Sequence, residues 1–151
     1  MEAALQRLGA RDEGLLIQRD TYFYVPHGRL KLREIDGRSS LLIAYDRPED
    51  QAQRMSQFRI TEIPDPQGLI AVLGDALGVR GVVAKRRHLY LWQECRIHLD
   101  EVERLGSFLE FEVLSQGVSC DDWDRMEALM TSFGLRDSDC IQASYSDLLG
   151  L

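Results

Sequence analysis

No stretch of this sequence stays apolar for the roughly 18–20 residues that a membrane-spanning helix needs, and its first residues lack the basic, apolar and small-residue zones of a secretory signal. A bilayer span and an export leader are therefore not expected, and the cytoplasm is the expected address. The three cysteines, Cys95, Cys120 and Cys140, are odd in number and too scattered for a C-x-x-C knuckle, which leaves reduced thiols as the expectation. His27, His88 and His98 show neither H-x-x-H nor H-E-x-x-H spacing, so a histidine zinc site is not expected. Net positive charge is also missing. A formal charge of −7 argues against nucleic acid or a membrane surface as partner. Internal repeats, low-complexity tracts and linkers are absent too, so residues 1–151 are expected to form one domain with an ordinary core.

What is present is a succession of short alternating segments. Residues 2–8 have helical spacing before Gly9. Strand patterns are expected over 15–25, 29–34, 41–47, 55–63, 79–92, 96–100 and 106–114, with Asp36-Gly37 as a hairpin turn. Apolar stripes of helical period predict helices over 69–77 and 121–133, and a short helix is expected within 141–149. Many consecutive strands joined by short turns predict an α+β fold. Its antiparallel sheet of about seven to eight strands is expected to close, or nearly close, into a β-barrel with a tunnel, flanked by helices.

The charges on these strands are sorted by sign. Strand residues alternate between faces, so Leu109, Phe111 and Val113 share one face of the 106–114 strand and Glu110 with Glu112 the other. Lys31 and Arg33 alternate with Leu30 and Leu32, while Lys85 and Arg87 share a face of the 79–92 strand. Arg96, His98 and Asp100 alternate with Ile97 and Leu99. Two readings stay open on spacing alone. The charged faces are either the wet outside of a sandwich or the lining of a lumen. Like charges at i and i+2 repel, and an anion bound beside a cation would offset that repulsion; a polyphosphate with a divalent metal meets both needs.

The runs Gln18-Arg19-Asp20-Thr21-Tyr22-Phe23, Gly28-Arg29-Leu30-Lys31-Leu32-Arg33-Glu34 and Tyr45-Asp46-Arg47-Pro48 resemble the CYTH domain, or triphosphate tunnel metalloenzyme superfamily. So do Lys85-Arg86-Arg87-His88-Leu89-Tyr90, Arg96-Ile97-His98-Leu99-Asp100, Gly106-Ser107-Phe108-Leu109-Glu110-Phe111-Glu112 and Ser144-Tyr145-Ser146-Asp147-Leu148-Leu149. That superfamily includes class IV adenylate cyclases, thiamine triphosphatases and inorganic triphosphatases. The resemblance implies an eight-stranded antiparallel barrel that binds a triphosphate-containing small molecule with Mg²⁺ or Mn²⁺. By matching position it implies that Lys31, Arg33, Arg59, Lys85, Arg87 and Arg96, with Arg47 beside them, grip phosphate. It also implies that Glu110, Glu112 and Asp100 hold the metal, and that His98 is structural.

One departure bears on function. The superfamily's E-x-E-x-K motif, on a strand before the first helix, is absent from this sequence. Either a start upstream of Met1 supplies it or the strand is lost, leaving few oxygen ligands for a divalent ion. An unpaired strand edge then follows, which a homodimer would cover. The expectation is a metal-dependent enzyme, a triphosphatase or a class IV-type adenylate cyclase. The alternative is a catalytically impaired phosphate-binding module of the same family.

Overall fold

The computed structural model describes residues 1–46, 58–114 and 120–151. The elements follow in the order α1 (Glu2–Leu8), β1 (Arg11–Phe23), β2 (Arg29–Ile35), β3 (Ser40–Tyr45), β4 (Phe58–Ile63), α2 (Pro66–Leu77), β5 (Val79–Trp92), β6 (Cys95–Val102), β7 (Gly106–Val113), α3 (Cys120–Phe133) and α4 (Tyr145–Leu148). A 3-10 turn at Asp137–Asp139 precedes α4. Arg47 and the beginning of the strand expected over 55–63 lie outside the described residues. None of the described helices is long and apolar enough to cross a membrane.

All seven strands among the described residues belong to one antiparallel sheet, hydrogen-bonded in the order β4-β3-β2-β1-β5-β6-β7. The expected closure into a barrel is not made. Closing the sheet needs backbone pairing between its first and last strands, and among the described residues the hydrogen-bonded order ends at β4 on one side and β7 on the other. The α+β class and the seven strands stand as expected; the tunnel formed by closure does not.

Local chemistry explains where elements begin and end. The Asp36-Gly37 turn is tied by the Arg38 amide donating to the Ile35 carbonyl at 3.0 Å. Gly37 adopts φ 70°, a conformation that a side chain would strain. The Pro64-Asp65-Pro66 run, which looks like a simple break, is the start of α2. Asp65 is the N-cap, accepting from the Gly68 amide at 2.9 Å, and Pro66 occupies the first turn, where its missing N–H costs nothing. The expected C-terminal helix shrinks to four residues, which Ser144 and Asp147 cap reciprocally.

The chain divides into two compact units. The first comprises Met1–Leu16, Arg86–Glu101 and Gly106–Ile141. Its core is Leu5 of α1, Cys95 and Ile97 of β6 and Leu129 of α3, with Leu109, Phe111, Val113 and Phe133 packed around them. The apolar face of β7 is thus the buried one, and Phe111 meets Phe133 with ring centroids 5.4 Å apart.

The second unit comprises Ile17–Lys85, Val102–Leu105 and Gln142–Leu151. Here β1 and β2 pair Asp20 with Arg33 and Tyr22 with Lys31. Strands β2 and β3 pair Lys31 with Ile43, and β3 and β4 pair Ile43 with Ile60. Directly paired residues share a face. One face of this part of the sheet therefore carries Asp20, Tyr22, Lys31, Arg33, Ile43 and Ile60, and the other carries Thr21, Leu32, Leu42 and Thr61.

Leu129 is 0% exposed at the centre of the first unit's core. Leu129→Ala should cost about 2–5 kcal/mol in urea unfolding, whereas Val72→Ala, on the exposed side of α2, should change stability by less than about 0.5 kcal/mol.

Candidate functional site: two buried cation–carboxylate clusters

Along β1 the residues with buried side chains from Leu16 onward are Leu16, Gln18, Asp20 and Tyr22, with Thr21 and Phe23, while Leu15 and Ile17 lie exposed. An acid and an amide face inward while two aliphatic residues face out. Burying a carboxylate this way is costly unless cations meet it, and β2 supplies them. The Asp20 carboxylate accepts from Lys31 Nζ at 2.9 Å, from Arg33 Nε at 2.8 Å and from Arg33 Nη2 at 2.7 Å. Burial alone would raise the pKa of Asp20, but Lys31, then Arg33 and the more distant Lys85 outweigh it and hold the group far below the ordinary carboxylate range. Lys31, Arg33 and Lys85 retain only 12%, 19% and 6% exposure. The cationic strand faces are therefore not the wet outside of a sandwich.

Tyrosines complete this second-unit cluster. Lys31 Nζ lies 5.5 Å from the Tyr22 ring centre and 5.6 Å from that of Tyr45, and Lys85 Nζ lies 5.0 Å from that of Tyr145. Burial, then the neighbouring Tyr22, push the Tyr45 hydroxyl up to about 12, so it stays protonated. The amide oxygen of Gln18, on the same face of β1 as Asp20, is buried with no hydrogen-bond partner among the described residues.

The first unit holds a cluster of its own. Arg87 of β5 forks onto Asp100 of β6, Nε to Oδ1 at 2.7 Å and Nη2 to Oδ2 at 2.6 Å, and Nη2 also reaches Glu110 Oε2 of β7 at 2.5 Å. Arg87 and Asp100 are buried side chains, at 7% and 0% exposure, whereas Glu110 is 45% exposed. Arg96 donates to Glu112 at 3.3 Å, both about half exposed. Between the two glutamates sits His98, its Nδ1 3.6 Å from Glu110 and its Nε2 3.8 Å from Glu112. That Nδ1 is buried and has no hydrogen-bond partner among the described residues.

The sequence-derived residues thus fall into two groups, Lys31, Arg33 and Lys85 in the second unit and Arg87, Arg96, Asp100, Glu110 and Glu112 in the first. Arg59 belongs to neither. It pairs with Ala44, which pairs with Leu30, so it stands on the opposite face of the sheet from Lys31 and Arg33 and lines a shallow pocket with Leu30, Leu42 and Thr61. Sequence reasoning left Asp20 without a role, although an aspartate amid strand-forming residues is itself a signal, because strands disfavour it unless it has partners. It also missed Arg29, whose guanidinium donates to Ser144, Ser146 and Asp147 near the C-terminus.

The family model of the CYTH domain matches residues 1–145, and the chain belongs to that family. Among solved structures it is similar to the PH1012 protein of Pyrococcus horikoshii, with 27% identity, 97% of this chain and 90% of that one covered, and a TM-score of 0.87. A conserved hypothetical protein of Pyrococcus furiosus shares the fold at 20% identity, with 96% and 90% covered and a TM-score of 0.85. A Vibrio parahaemolyticus protein described as a "putative adenylate cyclase" does so at 21% identity, with 98% and 91% covered and a TM-score of 0.76. No protein of curated function matches the chain.

The CYTH superfamily is metal-dependent, which poses the question of whether these residues fit an ion. Among the described residues, no three His, Cys, Asp or Glu side chains are gathered to hold one by themselves. Both oxygens of Asp100 accept from Arg87, so a cation there would have to displace a guanidinium. Glu110 and Glu112 fit better. They are half exposed, on one face of one strand, and Mg²⁺ is commonly held by one or two carboxylates together with its ligand's phosphates and water.

Asp20 yields a pH prediction. Its folded pKa lies below the unfolded value of 3.8, so its stabilisation is complete above that value and is lost as pH falls from there toward the folded one. Asp20→Asn should lower stability at pH 7 by about 3–5 kcal/mol, by leaving Lys31 and Arg33 buried without their carboxylate. It should also flatten the fall in urea midpoint from about pH 4 to about pH 2 relative to the native chain.

Proposed function

We propose that the chain acts on a triphosphate-containing small molecule in the presence of Mg²⁺ or Mn²⁺, as a triphosphatase or class IV-type adenylate cyclase. The observation that carries this reading is the set of part-buried Lys31 and Arg33 and buried Lys85 around the buried Asp20, in a chain that the CYTH model matches over residues 1–145. Cations already oriented by a carboxylate need little rearrangement to meet an anion, and that pre-organisation is what makes electrostatic stabilisation effective. Lys31, Arg33 and Lys85 in the second unit, and Arg87 and Arg96 in the first, are the proposed phosphate contacts. Asp100 orients Arg87 rather than serving an ion, and Arg59 is left out because of the face it occupies. Glu110 and Glu112 would hold the divalent cation, whose chemistry when bound is to neutralise charge on the phosphates. The two activities share this grip and differ in nucleophile. A triphosphatase directs water at the terminal phosphorus. A cyclase directs the ribose 3′-hydroxyl at the α-phosphorus and releases pyrophosphate.

The engagement of Asp100 and Glu110 by Arg87 favours a second reading, a phosphate-binding module without turnover. Assays with ATP, thiamine triphosphate and inorganic triphosphate, each with Mg²⁺ and with Mn²⁺, separate the two. Turnover of one of them supports the enzyme, while calorimetric binding with no turnover at either metal selects the binding module. Arg33→Met should weaken triphosphate binding by about 10–100-fold, the loss of a charged hydrogen-bonding contact. Glu110→Gln should abolish metal-dependent turnover with the urea midpoint little changed; full activity in that variant removes Glu110 from the ion-holding role.

A further inference from the structure

The sequence has only two lysines, Lys31 and Lys85, against sixteen arginines, and both lie over tyrosine rings inside the second unit. Lys31 is fixed by its direct bond to Asp20. Lys85 is met by the ring of Tyr145, the first residue of α4. A lysine ammonium rides on a flexible four-carbon stem, so its position depends on what surrounds it. An aromatic face supplies attraction without competing for the anion as a carboxylate would.

The placement of Tyr145 needs an explanation, because a four-residue helix has no stability of its own. Side chains anchor it. Arg29, the first residue of β2, donates through Nη1 to Ser144 Oγ at 2.8 Å and Ser146 Oγ at 2.7 Å, and through Nη2 to Asp147 Oδ1 at 2.5 Å. Ser146 is 2% exposed, with its hydroxyl also 2.9 Å from that of Ser144. At the end of the segment the Leu151 side chain sits against Gly81 of β5, where any Cβ would collide with it. The anchors on β2 and β5 therefore hold the C-terminal segment on the strands that carry Lys31 and Lys85.

We infer that residues 144–151 form a positioning device for Lys85, docked by Arg29 and acting through the ring of Tyr145. The inference rests on the reading of Lys85 as a phosphate contact, and it adds that Tyr145 is a positioning residue that itself touches no phosphate. Truncating the ring should displace the ammonium from its position over Tyr145, and so should undocking the segment at Arg29.

Two measurements test it, one of them without ligand. In protein labelled at lysine ¹³Cε, only Lys31 and Lys85 report, and the Tyr145 ring current should displace the Lys85 signal. Tyr145→Leu and Arg29→Met should each return that signal toward the free-lysine position, and Tyr145→Phe should restore it. A Lys85 signal unmoved by Tyr145→Leu overturns the inference. The second measurement is calorimetric affinity for inorganic triphosphate in a double-mutant cycle with Lys85→Met. Tyr145→Leu should weaken binding about five- to tenfold in the native background and leave it unchanged beside Lys85→Met, with Tyr145→Phe rescuing it. Equal losses in both backgrounds mean that Tyr145 acts through general stability, and they overturn the positioning role. A native protein that binds no triphosphate while the lysine signals move as expected overturns the functional reading and supports the hold of Tyr145 on Lys85.

Discussion

A carboxylate buried in the middle of β1 sets the terms for the second unit of this protein. Asp20 has 3% exposure in its side chain, and a lone charge at such a position would not survive the cost of leaving water. The register of β1 against β2 resolves the cost by setting Arg33 directly opposite Asp20 and Lys31 opposite Tyr22. The same contacts that make the acid tolerable hold two cations at fixed positions. Folding and the fixing of those two cations therefore draw on one set of bonds. Hydrophobic burial is largely indifferent to direction, whereas this interaction selects one register, because a slip of β1 by one residue would turn Asp20 to the face away from Lys31 and Arg33.

The first unit solves a related problem with different parts. Arg87 and Asp100 are a buried, two-pronged pair of the kind that orients a guanidinium firmly. Glu110 closes on the same arginine from a more exposed strand. The opposite face of β7 packs Leu109, Phe111 and Val113 onto the core shared by α1, β6 and α3. A single strand thus serves as a wall of the core on one side and a carrier of carboxylates on the other. That division follows from the two-residue period of a strand.

Much of this was legible in the residues. The alternation in 106–113 and 29–35 located the strands and told which of their side chains would keep company. The helix at Glu2–Leu8 and the strand at Val79–Trp92 fall where their patterns placed them. Boundaries set by capping were harder to see. Pro66 reads as a breaker until the Asp65 side chain is seen bonded to the Gly68 amide. The early start of β1 at Arg11 was missed because polar residues open it. Arg59 shows the deeper difficulty, since its alternation with Ile60 was plain from the start. Only its pairing with Ala44 reveals that it stands on the face opposite Lys31.

By itself the sequence determined the order of strands, the sorting of charge by sign along them and membership of the CYTH family, since each is written in local spacing and motif. The tertiary structure decided which face of each strand is buried, that Asp20 would be the carboxylate meeting Lys31 and Arg33, that Arg87 would occupy Asp100, and that among the described residues the hydrogen-bonded order would end at β4 and β7 instead of closing. The physical reason is the same in each case. Alternation within a strand is a property of its own backbone, but register, pairing and burial belong to two strands at once, and no single segment carries that information.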